Sequence, residues 1–81
     1  MIEIREKVRT LMTVVFEISI DKIKDNADPN TIEAWDSLKH MSLIVALEEE
    51  FDIIFTDDEM MELLNFELIT RIVSDKINLI K

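Results

Sequence analysis

Cysteine is absent from the 81 residues, so no disulfide can staple the chain and no thiolate zinc site can form. Glycine is absent as well, and proline occurs once, at Pro29. With so few backbone breakers, and with Leu, Ile, Met, Glu and Lys in supply, the composition favours helix. The length suits one domain, spanning 1–81. A domain of this size buries only about 60–65% of the surface its unfolded chain exposes, so without staples it relies on well-packed helices. Basic residues are scarce: nine Lys and Arg stand against eighteen Asp and Glu, a formal charge of −9. That balance argues against nucleic acid as a partner, because neutralising phosphates takes Lys and Arg. It suits either partners with basic surfaces, which such a field steers into encounter, or simple solubility. No apolar run approaches the roughly 18–20 residues that span a bilayer, so membrane insertion is not expected. The Met1-Ile2-Glu3-Ile4-Arg5-Glu6 start is charged and lacks a signal-peptide apolar segment, which reads as a cytoplasmic protein, and a monomer is expected.

The spacing of Ile4, Val8, Leu11, Met12 and Val15 predicts a first helix over Ile2 to Phe16. From Ile18 to Trp35 this rhythm is lost. Asp25-Asn26-Ala27-Asp28-Pro29-Asn30-Thr31 reads as turn and loop, in a connection long enough to suggest function, with Ile20, Ile23 and Ile32 expected to pin it to the core. A second helix is predicted from near Asp36 to near Glu50. Asp36 is its N-cap, accepting the N–H of Leu38 or Lys39. Leu38, Met41 and Val45 share one side, and Ile44, Leu47 and Phe51 extend a broad apolar face around it. The Glu48-Glu49-Glu50 run reads as solvated surface or partner site, since the helix dipole disfavours acid at this end.

Thr56-Asp57-Asp58-Glu59 fits a capping box opening a short third helix that ends by Leu64. Asn65 can cap a fourth helix over Phe66 to Ile80, where Ile69, Ile72, Val73, Ile77 and Ile80 keep helical spacing. The predicted fold is therefore all-α: three longer helices, one short third helix, and a long loop between the first two.

Chemistry points to Trp35-Asp36-Ser37-Leu38, where the long loop meets the second helix. A serine just inside a helix start is exposed, and a phosphodiester on its Oγ would lie near the positive end of the dipole. Alone, an Asp-Ser pair there also serves as plain capping. The context extends the signal. Asp36-Ser37-Leu38 is followed by Ala46-Leu47-Glu48-Glu49-Glu50-Phe51 and then the acidic Thr56-Asp57-Asp58-Glu59 turn. In these residues, in length, in helix order and in acidity the chain resembles the acyl-carrier family across nearly its whole extent.

The resemblance implies an acyl-carrier-like four-helix bundle and a cofactor, 4'-phosphopantetheine. A phosphopantetheinyl transferase would move it from coenzyme A onto Ser37, with Asp36 and Leu38 completing the recognition motif. Acyl or aminoacyl cargo would ride as a thioester on the arm's thiol, which must be imported because the chain has no thiol of its own. Such a protein is not an enzyme; it serves acyl-loading and acyl-processing enzymes with basic docking surfaces. Candidate partner contacts along the second helix are Lys39, His40, Met41, Ser42, Val45 and Glu48. Two departures stand out. Much of the family has Gly where this chain has Trp35, and Lys39 and Ser42 occupy positions that are often acidic, which shifts the expectation from general fatty-acid synthesis toward a specialised pathway.

His40, the only histidine, lies one turn beyond Ser37 and reads as an exposed side chain, with contact to a phosphodiester or partner as the alternative. Trp35 reads as a packing residue, with cover for the base of the arm as the alternative. Met41, Met60 and Met61 read as core, with the lining of an acyl cavity or an adaptable partner surface as alternatives. Ile53-Ile54-Phe55 would seal the bundle, close a pocket or meet a partner. Asp57, Asp58 and Glu59 are not read as a calcium loop, which needs a central glycine. The rival reading is a carrier-fold interaction module without the arm; a small enzyme is disfavoured because no nucleophile–base spacing supports one.

Overall fold

The computed structural model describes the backbone of residues 2–80 and the side chains of residues 4–78. Helix α1 covers Ile2–Phe16 and turns Val8, Met12 and Phe16 fully inward, with Ile4, Leu11 and Val15 packed at the margin. Its end shows what a chain without glycine must do. Glu17 adopts the left-handed conformation at φ 56°, and Asp52 does the same at φ 55° after the second helix. This conformation crowds Cβ against the carbonyl oxygen, a penalty of roughly 1–2 kcal/mol that glycine avoids.

Helix α2 spans Ser37–Phe51, α3 spans Asp57–Met61, and α4 spans Phe66–Ile80; a single 3₁₀ turn, Ile20–Lys22, interrupts the long loop. Among the described residues there is no strand. Helix α1 packs against both α2 and α4. The core is closed by Leu43, Ile44 and Leu47 of α2 and by Phe66, Ile69, Ile72 and Val73 of α4. Burying each of these large side chains contributes about 1.5–3 kcal/mol. Of the predicted α4 stripe, Ile77 packs partly buried, and the side chain of Ile80 lies outside the described residues.

The long loop is anchored to the bundle along its length. Ile23, Ala27, Ile32 and Trp35 are buried in the core. Ile20, expected to anchor it, instead stands about half exposed, because the 3₁₀ turn carries it outward while Ile23, in extended conformation, turns in. Asp28 organises the turn that follows, its carboxylate accepting the N–H groups of Asn30 and Thr31, each at 2.9 Å. Arg9 reaches from α1 to donate to the Ile23 carbonyl and pairs with Asp25 at 2.9 Å. The same guanidinium lies 4.6 Å from the Phe66 ring, and the Phe66 N–H donates to the Ala27 carbonyl at 2.9 Å. Loop, α1 and the start of α4 are thereby joined, which places the end of the loop, and Ser37 with it, against the bundle.

The capping box opening α3 is complete: Thr56 Oγ1 accepts the Glu59 N–H, and Glu59 accepts the Thr56 N–H. Lys76 of α4 binds the same Glu59 carboxylate at 2.9 Å, which holds its pKa below the usual glutamate value and fixes α3 to the bundle. Of Ile53-Ile54-Phe55, the first and third side chains seal the core, while Ile54 points to solvent.

Candidate functional site

The site is built where the loop hands over to α2. Asp36 is extended (φ −104°, ψ −175°) and its carboxylate accepts the Lys39 N–H at 2.9 Å, the second of the two acceptances its position allowed. Ser37 is consequently the first residue of α2, and it is exposed. Capping consumes the third N–H of the helix. The N–H groups of Ser37 and Leu38 have no carbonyl one turn before them to receive them, which leaves the positive end of the helix dipole beside the Ser37 hydroxyl.

Next to Ser37 lies an open groove of about 570 Å³. It is lined by Trp35, Asp36, His40 and Met41, by Pro29 from the loop, and by Leu63 and Leu64 from the α3–α4 connection. The lining is largely apolar. Met41 and Leu64 remain more than half exposed and extend the apolar surface outward.

Two residues of the groove form a pair that local sequence does not announce. Trp35 is buried against Phe16, with ring centroids 5.2 Å apart, and its indole Nε1–H donates to His40 Nδ1 at 2.9 Å. The indole and imidazole rings lie nearly parallel, 21° apart, with centroids 6.2 Å from each other. His40 is therefore not the exposed histidine expected from its place on the helix; it is half-buried, and burial lowers its pKa below the ordinary 6.5. Trp35 both packs the loop and walls the groove. The signal for the pair in the sequence is slight: a donor-only indole five residues before an imidazole, across a helix start.

The remaining candidates divide by what they already touch. Leu38 is 80% exposed, and Met41, Ser42 and Val45 also face solvent, a mainly apolar stripe on the outer side of α2. Met61, 75% exposed on α3, adds to the apolar surface, whereas Met60 packs on the core. The broad apolar face expected for α2 is thus two faces: Leu43, Ile44 and Leu47 inward, Leu38, Met41 and Val45 outward. Lys39 pairs with Glu17 at 3.4 Å across the start of the loop. Glu48 is half-buried, and its carboxylate accepts the Phe55 N–H at 3.0 Å.

No family model matches the chain. Over 60 residues it is 33% identical to the acyl carrier protein of Buchnera aphidicola subsp. Schizaphis graminum (strain Sg), covering 74% of this chain and 76% of that protein. Over 77 residues it is 32% identical to the acyl carrier protein of Cyanidium caldarium, covering 94% and 88%. The fold is similar, with a TM-score of 0.82 and 31% identity, to the solution NMR structure of holo acyl carrier protein from Geobacter metallireducens, over 91% of this chain and 85% of that one.

Proposed function

Since the chain belongs to the acyl carrier protein family, and so carries acyl groups for other enzymes without being an enzyme itself, we propose that Ser37 is where its phosphopantetheine arm is attached. The observation that carries this reading is the position of Ser37. It is an exposed hydroxyl on the first residue of α2, beside unpaired helix N–H groups and at the mouth of an apolar groove.

The residues present fit a phosphodiester-linked group. The amino-terminal end of α2 favours the phosphate charge. Asp36 fixes the helix start without consuming the N–H groups nearest Ser37, and Met41, Leu63 and Leu64 give apolar contact to what extends from it. When bound, the group supplies the thiol that this cysteine-free chain lacks, and acyl cargo is held there as a thioester. What the chain itself contributes is placement and an address. Its net charge of −9 draws partners with basic surfaces, and the exposed Leu38, Met41 and Val45, with Ser42 among them, offer a mainly apolar contact once they arrive. Lys39, His40 and Glu48 flank that stripe and complete the docking face. The partners in this reading are a phosphopantetheinyl transferase and acyl-loading and acyl-processing enzymes, met in the cytoplasm by a single carrier domain.

The test is intact-protein mass after incubation with coenzyme A and a broad-specificity phosphopantetheinyl transferase. A gain of one phosphopantetheine, lost in Ser37→Ala, is expected. If several active transferases leave the chain unmodified while a known carrier is modified in parallel, Ser37 is not an attachment site, and the chain works as an unmodified interaction module of the carrier fold.

A further inference from the structure

The groove beside Ser37 is mainly apolar, and beyond Asp36 and Ser37 at the helix start its polar lining is the hydrogen-bonded Trp35–His40 pair. An indole N–H can only donate, so His40 Nδ1, at 2.9 Å from it, must be the unprotonated, accepting nitrogen. A neutral imidazole has one proton, which is then confined to Nε2. The ring is held in place by this bond to a buried indole that itself packs on Phe16. Among the described residues nothing accepts from Nε2, and the ring lines the same groove as Ser37, one helical turn away.

We propose that His40 is a positioning residue for the arm, donating its Nε2–H to an oxygen acceptor of the group attached at Ser37, and that Trp35 acts through His40 by fixing its tautomer and ring plane. This rests on Ser37 being the attachment site. A neutral donor suits the purpose. It orients a phosphodiester or amide oxygen without the strong charge pairing that would keep the arm from leaving for a partner enzyme, and burial keeps the imidazole neutral near pH 7. Trp35 also explains why the donor points one way only. Without the indole N–H the proton is free to move to Nδ1, and the groove would lose its donor for part of the time.

The experiment uses the full chain loaded from isotope-labelled coenzyme A, with intact mass read first on every variant. Failure of wild type to load overturns the attachment reading itself. Failure of the contact in a loaded protein overturns only the role of His40. In wild type, long-range proton–nitrogen spectra should show the Nε2–H tautomer before and after loading, with loading shifting the Nε2 resonance. A matching shift in the phosphodiester ³¹P signal would place the acceptor at the phosphate, and one in an amide carbonyl ¹³C signal would place it further along the arm. His40→Gln keeps an acceptor for Trp35 and a donor toward the groove, and should retain the shift. His40→Phe fills the space without either, and should lower the docked fraction of the arm about 2- to 10-fold, the worth of one hydrogen bond. Trp35→Phe should mix the two His40 tautomers and lower the docked fraction while His40 is still present. An Nε2 resonance indifferent to loading, or arm signals identical in wild type and His40→Phe, would overturn the proposal.

Discussion

Glu48 on α2 and Phe55 before α3 are joined by a hydrogen bond of 3.0 Å from the Phe55 backbone N–H to the Glu48 carboxylate. The bond spans the turn in which Asp52 takes its left-handed conformation and Ile53 and Phe55 drop into the core. A residue that reads in sequence as part of an acidic surface run therefore also holds the α2–α3 connection. Glu48→Ala should destabilise the fold by about 1.5–3 kcal/mol, as expected for a part-buried bond to a charged group. Glu48→Gln, which keeps a carbonyl acceptor, should lose less. Urea denaturation monitored by circular dichroism measures both, and equal losses in the two variants would mean that the charge rather than the acceptor matters.

Asp36 and Ser37 are neighbours with separable duties. Asp36→Ala removes the cap on the Lys39 N–H and should cost about 1 kcal/mol of stability. Ser37→Ala removes an exposed hydroxyl and should change stability by less than about 0.5 kcal/mol while abolishing loading. Denaturation curves beside intact-mass spectra would show the two effects falling on different residues. A large stability loss in Ser37→Ala would show that its hydroxyl is part of the helix start.

Glu17 carries a left-handed conformation with a Cβ, and its pairing with Lys39 at 3.4 Å is exposed and so worth little. Glu17→Gly should therefore stabilise the chain, by about 0.5–1 kcal/mol once the greater freedom of glycine in the unfolded chain is set against the relieved crowding. The midpoint of thermal unfolding should rise. A fall would show that the Glu17–Lys39 pair matters more than the backbone strain.

His40 gives stability a specific pH dependence. Burial lowers its folded pKa below the ordinary 6.5. Just below that pH the unfolded chain therefore binds more protons than the folded one, so stability falls as pH drops through 6.5 and levels off once the folded imidazole is protonated too. Protonation of Nδ1 also removes the acceptor for Trp35. Carboxylates titrate further down: Glu59, paired with Lys76, and Glu67, paired with Arg5, both have lowered values and give up their stabilisation below the ordinary 4.5. The His40 part is the difference between wild type and His40→Gln over pH 5–8, which should shrink with acidity. Parallel curves would mean that His40 titrates alike folded and unfolded.

The features legible in sequence are those whose partners lie within a turn. Thr56 with Glu59, Asn65 with the Leu68 N–H at 2.8 Å, and Asp36 with Lys39 are all contacts three residues apart, so the caps and the helix starts could be read from spacing alone. The stripe Val8, Met12 and the stripe Ile69, Ile72, Val73 were equally plain, because α1 and α4 each have one apolar side and a polar opposite. The Asp36-Ser37-Leu38 motif, with its resemblance to a known family, located the candidate site.

Helix α2 defeats the same method because it is apolar on two sides. Leu38, Met41 and Val45 keep helical spacing as well as Leu43, Ile44 and Leu47 do, and only the packing of α1 against α2 decides which set is core and which is left for a partner. Likewise, nothing local ties Glu48 to Phe55, Arg9 to Phe66, or the Ala27 carbonyl to the Phe66 N–H. Local chain stereochemistry determined the helices, their caps and the place of Ser37. The groove, the outward apolar stripe and the state of His40 arise from contacts between segments distant in sequence, whose spacing along the chain carries no trace of which residue will meet which.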